Sequence, residues 1–409
     1  MSKLAIDGGA PVRSNPVYSW PCFEDDEIAA VERVLRSGKV NYWTGEEGRQ
    51  FESEFAAHCR VSHAVALSNG TVALEFILRA LGIGPGDEVV VTPRSFVASA
   101  SVVALVGAKP IFAEVDPDSQ NITAPAIEAI LSPRTRAIIP VHLAGWPCDM
   151  DPIMALADRY GLKVIEDCAQ AHGAVYKGRP VGSIGHAAAS SFCQDKIMTT
   201  GGEGGMITTN DPDIWRHVWE FKDHGKSWHA VYEREHPVGF KWLHESIGTN
   251  GRMTEMQAAI GRIQLRKLSY WHRKREENAL RLCSRLSVLQ GLRVPMPGKE
   301  LVHAWYKFLV FLRQEYLKPG WTRDRIVEAV AAEGIPAYSG FCPEIYLEKA
   351  FQTSELSSSS RLPIAKLLGE TSLMFLIHPT LSDEEIDDTA AAIEKVMAVA
   401  TKAKTSFAA

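Results

Sequence analysis

Lys196 stands in SSFCQDKIMTTGGEGG (190–205), after an apolar run and before four glycines. A lysine fixed at a strand end beside an apolar, cationic pocket can lose its proton and become a nucleophile; in an open loop it is only a solvated cation. Two further strand ends carry residues of related chemistry. VIEDCAQAHGA (164–174) reads as a buried strand ending in Glu166-Asp167, with Gln170 and His172 beyond. A carboxylate at the mouth of a buried strand needs a partner, either a protonated ring nitrogen of a bound cofactor or a structural salt bridge. His172 alone reads as a satisfied loop histidine. LSNGTVAL (67–74) turns from strand directly into helix. The free N–H groups there, with the positive end of the helix dipole, form an anion site that Gly70 lets a phosphate approach, although the same residues also suit a plain N-cap. Phe96, after EVVVTP (88–93), is placed to stack on a flat ring or to pack in the core.

Phosphate-cradling amides, an aspartate able to hold a pyridinium and a lysine able to form an imine are together the parts a pyridoxal phosphate enzyme needs. The aspartate keeps the ring cationic, so that it accepts electrons as a proton leaves carbon. The lysine holds the aldehyde and then moves that proton.

SNGTVAL, TPRSFVASA, PVHLAGWPCDM, VIEDCAQAHGA, SFCQDKIMTTGGEGG and GTNGRMTEMQAAIGRIQL occur in this order. With them the chain resembles the sugar aminotransferases of the DegT type, a branch of the fold-type I, aspartate aminotransferase-like enzymes. The resemblance runs from AIDGGAPVR to the last helix, and 164–205 is its most specific part. It implies a pyridoxal 5′-phosphate cofactor with Lys196 as the imine lysine and Asp167 as partner of the pyridine nitrogen. Gln170 would bond the phenolic oxygen and Phe96 would stack on the ring. Gly70, Thr71 and Ser191 would hold the phosphate, helped by Asn250 or Arg252 reaching over from a second subunit of a homodimer.

The reaction implied is amino transfer from glutamate or glutamine to a keto-sugar nucleotide, in surface-polysaccharide or amino-sugar biosynthesis. Relatives that dehydrate carry histidine in place of the lysine, so Lys196 favours transfer over a sugar dehydratase. A cyclitol ketone remains an alternative acceptor. A pyridoxal phosphate-binding regulator remains the non-enzyme alternative, but the chain shows no basic helix-turn-helix segment of the kind such proteins add. Cys193-Gln194-Asp195 and Trp146 depart from the usual pattern and bear on substrate preference. Asp195 places a carboxylate beside the lysine, and its direction decides whether the two pair. Part of the 222–252 loop, with Lys222, His224, Lys226, Arg234 and Lys241, is expected to meet the nucleotide diphosphate or a donor carboxylate, the rest being solvated.

These residues need a scaffold. From about 60 to 210, short apolar runs alternate with helical patterns: AVAL (64–67), EVVVTP (88–93), PIFAEVD (110–116), RAIIPVHL (136–143), LKVIED (162–167), AAASSF (187–192) and GGMITTN (204–210). Alternation of this kind predicts an α/β fold with a mostly parallel sheet of the seven-stranded type, flanked by helices, with ligands beyond the carboxyl ends of the strands. Residues 212–250 read as irregular. A long helix is expected over 253–286, then strand WYKFLVFL (305–312), a helix near 322–334, IPAYS (335–339) and a final helix opened by SDEEIDD (382–388). The expected division is a large domain over 1–250, including an N-terminal arm, and a smaller α+β domain over 251–409. The 409 residues exceed the ~250–300 at which single cores stop growing. SELSSSSRL (354–362) and TKAKTSFAA (401–409) read as a loop and a loose tail.

A net charge of −5 gives no general pull toward nucleic acid or anionic membrane. Seven cysteines without a C-x-x-C pair read as reduced thiols, with no metal site, in a cytoplasmic protein. No signal peptide or membrane-spanning run is read from the sequence.

Overall fold

The computed structural model describes residues 3–353, 356 and 360–402. Of the expected loop and tail, residues 354, 355, 357–359 and 403–409 lie outside the described residues. The first half of the chain forms strands β1 (His63–Leu67), β2 (Glu88–Val91), β3 (Lys109–Phe112), β4 (Thr135–Ile139), β5 (Lys163–Asp167), β6 (Val175–Tyr176), β7 (Arg179–Pro180), β8 (Ala187–Ser191) and β9 (Gly205–Thr209). Seven of them build one sheet in the order β1-β9-β8-β5-β4-β2-β3. The run from β3 through β2, β4 and β5 to β8 is parallel, whereas β9 runs antiparallel to both β8 and β1.

The sheet is covered on both faces, which is why its strands read as unbroken apolar runs. Side chains alternate between two cores. Val65, Leu67, Ala187, Ala189 and Ile207 face one. Ala64, Ala66, Ala188 and Met206 face the other. Helices α1 (Asp25–Ser37), α2 (Glu47–Cys59), α3 (Gly70–Ala80), α4 (Ala98–Leu105), α5 (Ala124–Glu128) and α6 (Met150–Tyr160) supply the layers. The strand expected to run to Asp116 stops at Phe112, where the chain turns back through a Val115–Ile122 bridge.

The stretch expected to be irregular contains α7 (Pro212–Phe221) and α8 (Trp228–Tyr232), and that expectation is corrected. Asp211 caps α7 by accepting from the Asp213 and Ile214 amides at 2.8 and 3.2 Å, Pro212 opens it, and Ile214, Val218 and Trp219 bury one face. Helix α9 (Glu255–Leu286) starts at a Thr254–Gln257 capping box and runs 32 residues. Residues Ala258, Leu268 and Trp271, up to its middle, enter the core under the large sheet. Its second half contributes Ala279, Leu282 and Leu286 to the C-terminal core.

The C-terminal part adds β10 (Leu292–Arg293), β11 (Leu301–Val302), β12 (Phe308–Leu312), β13 (Ala337–Tyr338) and β14 (Ser372–Phe375), with α10 (Arg323–Ala332), α11 (Pro363–Thr371) and α12 (Asp383–Ala400). Its antiparallel sheet has the order β10-β12-β14-β13, and β11 pairs with β6. The strand expected from Trp305 begins only at Phe308, because Trp305 holds a φ of +52°, which no strand adopts. The N-terminal arm packs on this C-terminal sheet. Leu4 enters its core, and Arg13 reaches Asp388 at 2.9 Å and Glu385 at 3.3 Å. Among the described residues, no helix is long and apolar enough to cross a membrane.

Gly261 seats α9 against α2, since a Cβ there would lie 2.6 Å from Phe51 Cζ and 2.9 Å from Thr200 Cγ2. Gly261→Ala is expected to destabilise the fold by about 1–2 kcal/mol despite the better helix propensity of alanine, read as a lower urea midpoint at unchanged slope.

Candidate active site

The carboxyl ends of β5 and β8 open into a cavity of about 540 Å³, bounded by the first turns of α3 and α4. Of the residues picked out in the sequence, Gly70, Thr71, Phe96, Asp167, Gln170, Ser191 and Lys196 all line it.

The Glu166-Asp167 pair divides by the strand's alternation. Glu166 points away from the cavity and is fully engaged. Its Oε1 accepts from the amides of Ile184 and Gly185, each at 2.7 Å, and its Oε2 from the Gly182 amide and His142 Nε2, each at 3.0 Å. The Cys148 amide donates to His142 Nδ1 at 2.9 Å, so the proton on that ring sits on Nε2. Burial alone would raise the Glu166 carboxyl, but the His142 bond and the amides outweigh it and hold it below the usual range.

Asp167 faces the cavity, 4% exposed. Ser99 Oγ donates to its Oδ2 at 2.8 Å and the Ala169 amide to its Oδ1 at 3.1 Å. Burial raises its carboxyl, opposed by Ser99, the Ala169 amide and the charge on Lys196. A cation entering the cavity is what this carboxylate lacks.

Lys196 sits in the connection between β8 and β9, its side chain 14% exposed. The loop is tightly held: Trp20 Nε1 donates to the Lys196 carbonyl at 2.7 Å, and the Thr199 amide donates to Gln264 of α9 at 2.8 Å. Nζ lies 3.9 Å from Asp195 Oδ1, while the Tyr306 hydroxyl donates to the other Asp195 oxygen. Asp195 is therefore shared rather than locked onto the lysine. Burial would raise it, but Lys196, Tyr306 and Lys307 together hold it low.

At the opposite wall, Asn69 Oδ1 accepts from the Val72 amide at 2.9 Å and caps α3. That leaves the Gly70 and Thr71 amides at the helix N-terminus for an anion. Gly70 is required, because a Cβ there would lie 2.6 Å from Ser191 Cβ. The Ala144 amide donates to Gln170 Oε1 at 2.7 Å, so the NH2 end of that side chain is the one available to a ligand. Phe96 stands at the rim, 64% exposed. Its segment is tied to the C-terminal part by the Ser95–Cys342 bridge and by the Ile345 amide donating to the Pro93 carbonyl at 2.8 Å.

Asn250 and Arg252 do not line this cavity. Asn250 pairs with Asp223 along the backbone, and Arg252 Nη1 binds the Asp223 carboxylate. His172 is buried with neither ring nitrogen hydrogen-bonded, and burial, aided by Lys196, pushes it down to about 3, so it is neutral. Lys222, grouped in the sequence with residues for a nucleotide diphosphate, is corrected: it is fully buried and its Nζ bonds Glu52 at 3.0 Å. Arg234 pairs with Glu245 at 2.6 Å. Sequence reasoning missed Ser99, Ala144 and Tyr306. Ser99 had a signal, standing one helical turn beyond Phe96; Tyr306, 111 residues from Asp195, had none.

Residues 21–394 match the model of the DegT/DnrJ/EryC1/StrS aminotransferase family. The spore coat polysaccharide biosynthesis protein SpsC of Bacillus subtilis is 36% identical over 383 residues, 93% of this chain and 96% of its own. GDP-perosamine synthase of Caulobacter vibrioides is 38% identical over 360 residues, 87% and 92%. The crystal structure of an aminotransferase from Psychrobacter cryohalolentis superposes with a TM-score of 0.92 at 55% identity, covering 94% of this chain and all of that one.

Since burial raises Asp167 above its ordinary 3.8, the folded chain keeps that proton to higher pH than the unfolded chain does. Stability therefore falls as pH climbs from 3.8 through the raised value. For the protein without added ligand, Asp167→Asn is expected to flatten this slope above about pH 4 and to be the more stable form at the upper end, measured by urea unfolding across pH. A wild type that gains stability over the variant as pH rises would contradict the assignment.

Proposed function

The chain belongs to the DegT/DnrJ/EryC1/StrS aminotransferase family, and from that premise we propose that it moves an amino group from glutamate or glutamine to a keto group of a nucleotide-linked sugar, with pyridoxal 5′-phosphate held in the cavity at Lys196. Enzymes of this family depend on that cofactor. The observation that carries the reading is the pairing of Asp167, a buried carboxylate without a cation bonded to it, with Lys196 in one cavity floored by the open end of α3. The residues fit the group: a glycine where a side chain would collide, two amides for a phosphate, an amide donor from Gln170 and a carboxylate for a ring nitrogen.

Bound pyridoxal phosphate supplies an aldehyde that captures amino groups and a cationic ring that stabilises the electron pair left when a C–H proton departs. The chain's own residues do the rest. Asp167, kept rigid by Ser99 and the Ala169 amide, holds a proton on the ring nitrogen. Lys196 Nζ would be the group that holds the aldehyde end of the cofactor and, once free, takes and returns the substrate proton. Gly70, Thr71 and Ser191 bind the phosphate, and Phe96 closes one face of the ring. Asn250 and Arg252 supply their contact to the site of a second subunit, in a cytoplasmic homodimer. The 38% identity to GDP-perosamine synthase supports a nucleotide sugar as acceptor, and a lysine at 196 supports transfer over dehydration.

Lys196→Ala is expected to lower turnover at least ~10³-fold and to abolish borohydride-trappable cofactor. In the wild-type holoenzyme, glutamate should bleach the yellow colour and a keto-sugar nucleotide should restore it. Full activity in Lys196→Ala would end the proposal.

A further inference from the structure

Two lysines share one ring. Nζ of Lys196 lies 5.1 Å from the centroid of Tyr306, and Nζ of Lys307 lies 4.9 Å from it. The Tyr306 hydroxyl is engaged by Asp195, the one acidic group bonded within this cluster. Behind the ring stands Arg275 of α9, fully buried, with Trp20 over its guanidinium at 5.1 Å. Its Nη1 donates to the carbonyls of Trp305 and Tyr306, each at 3.3 Å, while Nε and Nη2 have no partner. Three cations therefore converge on Tyr306 against a single carboxylate.

Lys307 is the uncommitted member. Among the described residues it makes no ion pair, although it is mostly buried. Burial, Arg275 and Lys196, opposed by Asp195, push its ammonium down to about 8. A part-buried ammonium without an anion is costly and gains most from a charged hydrogen-bond partner. Lys307 also lines a crevice of about 20 Å³ with Gln120, Ala144, Trp146 and His303. Ala144 is the residue whose amide fixes Gln170, so crevice and cavity share a wall. Asp118, at the same crevice, is already bound to Arg293. His303 is pushed down to about 3 by burial and adds no charge.

We propose that Lys307 recognises a carboxylate of the amino donor, and that Arg275 is its positioning residue, holding the Trp305-Tyr306 backbone that presents it. The proposal rests on the aminotransferase reading and adds to it where the donor is gripped. The crevice is small: it holds about one water-sized group, such as a single carboxylate oxygen, and excludes a nucleoside diphosphate. Because both Nζ atoms lie about 5 Å from one ring centroid, at 5.1 and 4.9 Å, Lys307 stands within the reach of a five-carbon dicarboxylate from Lys196.

The test uses the holoenzyme and the unreactive dicarboxylate glutarate. Lys307→Met is expected to weaken glutarate binding by calorimetry, and to raise the KM for glutamate in the donor half-reaction, by at least ~10-fold, the loss of one charged hydrogen bond. The acceptor half-reaction should keep its KM within about twofold, and Lys307→Arg should recover most of the glutarate affinity. Arg275→Met should weaken glutarate binding in the same direction while leaving the phosphate-dependent retention of cofactor intact. Unchanged glutarate affinity in Lys307→Met, or an equal loss in both half-reactions, overturns the proposal. Bleaching of the wild type by glutamate judges the aminotransferase reading separately, since glutarate binding decides on Lys307 whatever that result. Should Lys307→Met fail to fold, Lys307→Gln replaces it. A wild-type complex with both glutarate carboxylates beyond hydrogen-bond reach of Lys307 Nζ also overturns it.

Discussion

One buried carboxylate governs the rest of the site. Asp167 lies almost out of water, and its negative charge is tolerated only while rigid donors surround it. The donors come from separate elements, Ser99 from α4 and the Ala169 amide from the loop after β5, and the charge of Lys196, from the β8–β9 connection, adds to them without a bond. Register in the middle of the sheet is therefore more than a packing matter. A slip of one residue in β5 would turn Asp167 into the layer now occupied by Glu166 and bring Glu166 into the cavity, away from its four donors. The backbone bonds from the Asp167 amide to the Pro140 carbonyl and from the His142 amide to the Asp167 carbonyl hold β4 and β5 against that slip.

The second organising feature is electrostatic imbalance. Around Tyr306, Lys196, Lys307 and Arg275 stand close to one carboxylate, Asp195, which the Tyr306 hydroxyl shares with Lys196. Tyr306 is the meeting point. Its hydroxyl binds one Asp195 oxygen, so the aspartate next to Lys196 is shared rather than locked onto it. The C-terminal part thus adds chemistry to a site otherwise built from strand ends of the large sheet.

Much of this was legible in the sequence, because β5, β8 and α3 announce themselves locally. Apolar runs end in Asp167 and Ser191, and Asn69-Gly70-Thr71 marks a strand turning into a helix. The large sheet and α9 followed from the same periodicities. What stayed hidden is what tertiary contact decides. Nothing local says that Glu166 takes three backbone amides where Asp167 takes one, or that Ala144 orients Gln170. Lys222 looked like an exposed loop cation, but α7, whose Trp219 and Val218 pack inward, carries it into the core beside Glu52. Trp305 was read as strand because its neighbours are β-formers, while its positive φ is imposed by the turn that presents Tyr306.

Helix α9 has a consequence for how such chains diversify. One unbroken rod threads both cores, contacts the loop of Lys196 through Gln264, and supports Tyr306 through Arg275. Exchange of C-terminal halves between related genes cannot treat the two cores as cassettes, because any crossover within 255–286 splits one helix between two ancestries. Junctions placed before Thr254 or after Ser287 inherit the whole rod from one parent, and with it a matched spacing between Lys196 and the residues behind it.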